Sequence, residues 1–153
     1  MRPRSAPSPV AVGVTSLVLV LAGCASGPSS ADDRAAENLT AALDEAASGV
    51  EVATLVVRLV DDDLTTTPVA DVTLRDALQD VGGAHDRLAL DVPVQSEHDA
   101  RDRALTAVAD ATRAVADARS WVNGVSPSTA AQVDEALRAA ADAIESVTAE
   151  LGG

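Results

Sequence analysis

Four stretches of this chain place apolar residues alternately four and three positions apart, and that spacing restricts the fold more than any other feature. A period near 3.6 residues puts such positions on one face of a helix, whereas a strand would need alternation every second residue. The first stretch runs Leu39, Leu43, Ala46, Val50, Ala53, Val57, Val60 and Leu64. The second runs Leu74, Leu78, Val81, His85, Leu88 and Val92. The third carries two neighbouring stripes: Leu105, Val108, Thr112, Val115 and Val122, interrupted by Arg119, and Ala100, Ala104, Ala107, Ala111, Ala114, Ala118 and Trp121. The fourth runs Val133, Leu137, Ala140, Ile144, Val147 and Leu151. Each stripe must be buried against another, so the pattern predicts an all-α, up-down-up-down four-helix bundle.

Local signals place the helices at about 33–62, 68–91, 97–123 and 127–151. Thr67-Pro68 and Ser126-Pro127 each read as an N-cap followed by proline at the first helical position. Ser96 with Asp99 three residues on reads as a capping box, and Asn123-Gly124 as a left-handed exit. Residues 50–60 are rich in β-branched side chains, but the helical spacing passes through them unbroken and no other segment offers a strand partner. Their apolar residues spread widely round the helix, which predicts that this half of the first helix is the most buried. Gly82-Gly83 costs roughly 2 kcal/mol against two alanines, yet the seam continues in register across it, so the helix is expected to run on.

Composition limits the core. Phe and Tyr are absent and Trp121 is the only aromatic residue. Alanine-rich seams let helix axes approach closely but bury little area per residue, so the core should be dense and thin, without a large apolar pocket.

The first 31 residues have a different character. Arg2 and Arg4 precede an apolar run over residues 10–21, and small residues follow at Ala22 and Gly23. This is the three-part layout of an export signal, and the run is too short for a spanning helix. Within it, Leu21-Ala22-Gly23-Cys24 resembles the lipobox of bacterial lipoproteins. The resemblance implies a signal peptide at 1–23, diacylglyceryl transfer to the Cys24 sulfur, cleavage between Gly23 and Cys24, and a lipid anchor at the extracytoplasmic face of the cell membrane. Residues 25–31 then form a tether reaching at most about 25 Å, and the bundle occupies 32–153. The use of arginine with no lysine resembles actinobacterial proteins, so that the whole resembles their small helical lipoproteins.

After Cys24 there are 9 arginines against 24 acids, a side-chain charge of −15. Such a surface repels phosphate backbones and anionic lipid heads, which excludes nucleic acid as a partner and leaves membrane contact to the lipid. Cys24 is the only cysteine, so neither an internal disulfide nor a thiolate metal site is available.

Few residues suggest chemistry. His85 lies in the second seam and is expected to be a space-filling neutral histidine; His98 falls in the first turn of helix three, exposed and offset from His85 too far to share an ion. Asp61, Asp62 and Asp63, with Asp71 nearby, form the densest acidic group, read either as a solvated turn or as a weak divalent-cation site. Trp121 reads as a plug at one end of the bundle or as a partner contact. There is no nucleophile elbow, phosphate loop, zinc-protease motif or dinucleotide fingerprint, and no cofactor is implied. The expected role is structural or protein-binding and not enzymatic, the alternative being a binder of divalent or small cationic ligands at the acidic bend.

Overall fold

The computed structural model describes residues 31–90 and 98–152. Among them are four helices and no strand: α1 (Ala31–Asp61), α2 (Thr67–Leu90), α3 (His98–Val122) and α4 (Ala130–Leu151). Residues 50–60 are helical throughout, and α2 runs unbroken through Gly82-Gly83.

The core is entirely aliphatic among the described residues; no polar or charged side chain is buried. In α4 the buried residues are Val133, Leu137, Ala140, Ile144 and Val147, the stripe expected from spacing. In α3, Ala104, Ala107, Ala111, Ala114 and Ala118 are buried together with Val108, Val115 and Val122, while Ala100, Leu105 and Trp121 of the expected stripes are partly buried. The seam of α2 differs. Its buried positions are Ala70, Leu74, Ala77, Val81, Ala84 and Leu88, so Ala77 and Ala84 stand where Leu78 and His85 were expected. Both choices keep the helical period, but the small pair lets the neighbouring helix come closer. His85 is accordingly displaced to the flank, where its side chain is 43% exposed.

Closeness is most evident at Gly49 of α1. A Cβ built there would lie 2.6 Å from Val81 Cγ2 and 3.1 Å from the Ala77 carbonyl oxygen, so the α1 backbone rests directly on the Val81 side chain and the backbone of α2. Helix α1 also packs against α3 across the middle of the bundle, in addition to α2 and α4 on either side, while α2 and α4 make no contact of their own. The cross-section is therefore a rhombus flattened along the α1–α3 diagonal. Alanine explains the flattening: Ala46, Ala53, Ala111 and Ala118 are fully buried and sit at the centres of the buried arcs of these two helices.

Polar ties lie at the margins of this core. One arginine–carboxylate pair bridges each of the four neighbouring helix pairs: Glu45–Arg87, Asp71–Arg119, Arg103–Glu150 and Arg58–Asp134. Arg101 donates from Nε to the Leu88 carbonyl at 2.8 Å and from its terminal nitrogen to the Ala89 carbonyl at 2.9 Å, capping the end of α2. Arg103 thus reaches Glu150 of α4, whereas Arg113 pairs with Asp110 within α3.

Helix ends depart from expectation in two places. The carbonyl of Thr66 accepts from the Ala70 amide, which moves the start of α2 one residue earlier than Thr67-Pro68 suggested. Helix α4 starts at Ala130, not at Pro127, because Thr129 and Gln132 form a reciprocal capping box. Ser126 instead bonds Ser128 in the preceding turn. Ser96, Val92 and residue 91, the expected last residue of the second helix, lie outside the described residues.

The glycines yield a paired prediction. Gly49→Ala should destabilise the protein by about 1–2 kcal/mol, since overpacking against a backbone carbonyl outweighs the gain in helix propensity. Gly82→Ala meets nothing within 4 Å and should stabilise it by about 1 kcal/mol. Urea unfolding of the two variants checks the opposite signs.

Candidate interaction surface

The acidic bend has a structural explanation. Asp63 takes a left-handed conformation with φ of 57°. The Leu64 amide donates to the Leu59 carbonyl at 2.8 Å and the Asp63 amide to the Val60 carbonyl at 3.1 Å, the double closure of a Schellman stop. The end of α3 is closed in the same way, with Val125 donating to Ser120, Gly124 to Trp121, and Gly124 at φ 68° as expected. Asp63 thus occupies a position that glycine normally fills.

Asp71 does not join this group. Its Oδ1 accepts from Arg119 Nε at 2.7 Å and from Asn123 Nδ2 at 2.8 Å, while Oδ2 accepts from Arg75 at 2.8 Å. The side chain is only 18% exposed, and these donors hold its carboxyl down at about 2, the Arg119 bond contributing most. Arg119, which interrupts a valine stripe in α3, is therefore a tie to α2. Among the described residues no three His, Cys, Asp or Glu side chains cluster to hold a metal ion, so the four-carboxylate cation site is not assembled. His85 lies 3.8 Å from Asp86 through Nδ1, and His98 is exposed at the start of α3.

Trp121 is half-buried and packs on the core beside the α3 exit. Cys24 and Gly23 lie outside the described residues. No described helix is long and apolar enough to cross a membrane.

What the sequence reading missed is a second apolar face. Residues 50–60 bury Val50, Ala53, Val56 and Val57, but Val52 and Leu55 of the same stretch point outward, Leu55 being 57% exposed. Val52 and Leu59 fall one and two heptads after Glu45, which faces Arg87 of α2, so they project toward the same helix. On α2, Val69 (58% exposed) lies two heptads before Gly83, whose Cβ direction points at Glu45, and Val72 is exposed beside it. An apolar strip thus follows the outer edge of the α1–α2 interface, with Leu64 exposed at the turn between them. The wide spread of apolar residues round α1 was the available signal, and it marked outward exposure as well as burial.

Asp76 stands in the α2 row itself, one heptad after Val69, and Glu51, Asp62 and Asp80 border the strip, all four exposed. Every arginine from Arg34 onward has a partner inside the chain, so none is left to balance them. No protein-family model, curated protein or solved structure matches the chain.

Two predictions follow from the polar geometry. Asp63→Gly should raise stability by about 0.5–1 kcal/mol by relieving the left-handed strain, whereas Asp62→Gly should not; equal gains in thermal unfolding would contradict the assignment. Because the Asp71 carboxyl is depressed from 3.8 to about 2, its contribution is complete above about pH 4 and is lost as the pH falls toward 2. Asp71→Asn should accordingly be less stable than the parent at neutral pH, with the gap closing in acid; urea midpoints at several pH values measure it.

Proposed function

We propose that this chain is a membrane-anchored extracytoplasmic lipoprotein whose up-down-up-down bundle serves a structural or protein-interaction role and not a catalytic one. The observation that carries the reading is Leu21-Ala22-Gly23-Cys24, placed after an arginine-bearing start and an apolar run, with Cys24 the sole cysteine. Lipidation of Cys24 and cleavage after Gly23 would tether the domain through residues 25–30 to α1, which begins at Ala31.

The cross-helix contacts support the up-down-up-down order. Arg58 late in α1 meets Asp134 early in α4, and Asp71 early in α2 meets Arg119 late in α3. In that order the connections 62–66 and 123–129 share the end away from the tether. The outward strip starts at Val52, about 30 Å along α1 from Ala31, so the anchor would hold it clear of the bilayer. An aliphatic core without buried polar groups, and an outer face with unpaired apolar side chains, favour binding over catalysis.

Cys24→Ala tests the anchor. Metabolic labelling with a lipid analogue should be abolished and an unprocessed precursor should accumulate. Normal processing of that variant would mean an ordinary secretory signal and would overturn the reading.

A further inference from the structure

Resting on that interaction role, the outer α1–α2 face has the chemistry to select one kind of occupant. We infer that it docks a cationic amphipathic helix of a partner protein along the strip formed by Val52, Leu59, Val69 and Val72, with Leu55 beside it on the outer crest of α1, where it also borders α4.

Three observations favour this occupant. First, exposure is uneven: of the seven large apolar side chains exposed among the described residues, five (Val52, Leu55, Leu64, Val69 and Val72) lie on α1, the turn after it or the first turns of α2, while Leu90 stands at the far end of α2 and Val125 on the other turn. Scattered exposure is ordinary, but exposure gathered on one face marks a binding surface. Second, the strip follows two packed helices, and an amphipathic helix laid along such a groove presents anchors three, four and seven residues apart. Third, Asp76 stands in its α2 row, Glu51, Asp62 and Asp80 border it, and the chain's own arginines are engaged elsewhere. A partner with lysine or arginine flanking its apolar stripe gains at both the centre and the rim of such a contact, with charge chiefly raising the rate of encounter.

The same charge argues against two other occupants. A second copy would bring a like-charged rim against this one, which costs free energy at every facing carboxylate. An anionic bilayer would be repelled likewise, and the strip lies well along α1 from the tether.

The test uses the full lipidated chain in phosphatidylcholine nanodiscs, with empty nanodiscs subtracted. The probes are a Leu/Lys amphipathic peptide of about five helical turns, a scrambled peptide of the same composition, and a Leu/Glu peptide of the same pattern. The Leu/Lys peptide should bind, more weakly as salt rises, and the other two should not. Leu55→Gln and Val69→Gln should each weaken it about tenfold or more with unchanged unfolding midpoints, while Val125→Gln, exposed on the other turn, should leave it unchanged. Equal binding of the scrambled or Leu/Glu peptide, or full binding by Leu55→Gln, would overturn the inference. So would a dimer in sedimentation that Leu55→Gln dissolves, or capture by anionic vesicles that the same variant abolishes. Failure here leaves lipid labelling at Cys24 untouched, and a cross-linked partner retained by Leu55→Gln would preserve the interaction role while removing this face from it.

Discussion

Close approach of helices through alanine and glycine is the constraint on which the rest of this structure depends. A chain without Phe or Tyr cannot gain much from any one buried side chain, since a buried Val or Leu contributes about 1.5–3 kcal/mol and an alanine less. What it can do is shorten the distance between backbones, so that many small contacts are made at once. Gly49 against Ala77 and Val81 is one close approach, and the contact of α1 with α3 across the middle of the bundle is another. With the middle of the bundle closed in this way, the only surfaces left for a partner are outside it.

Polar groups fit round that core and not within it. Each neighbouring helix pair has one arginine–carboxylate tie, and Arg101 closes the end of α2. Exposed pairs of this kind contribute at most about 1 kcal/mol each, so their main consequence is to align the helices at their ends. They also consume the chain's positive charge. The acids that remain give the surface one sign, and the apolar strip on α1 and α2 is read against that background.

Fold class was legible because a period near 3.6 survives any choice among neighbouring apolar residues. The stripe of α4 needed no revision. In α2, however, size misled: Leu78 and His85 are larger than Ala77 and Ala84, yet a tight interface wants the smaller residue at its centre. The exit at Gly124 was visible because glycine carries the left-handed turn openly, whereas Asp63 performs the same turn with a residue whose charge suggests another purpose. Asp71 looked like a fourth member of that acidic group because the run at Asp61, Asp62 and Asp63 ends only eight residues before it; its true partner, Arg119, is 48 residues away. The outward face of α1 was hidden for a related reason, since apolar residues all round a helix signal burial only when there is something on every side to bury them.

The account rests on the claim that distance between backbones, and not scarcity of apolar area, limits this bundle. Ala111→Leu measures that directly. Ala111 is fully buried in α3 at the centre of its packed arc, and leucine would add apolar area there. If the helices are in contact through alanine, urea unfolding should show a loss of about 1–3 kcal/mol, with Ala139→Leu on the exposed face of α4 nearly neutral. A gain in stability for Ala111→Leu would mean that the core has room to fill, and would contradict the account.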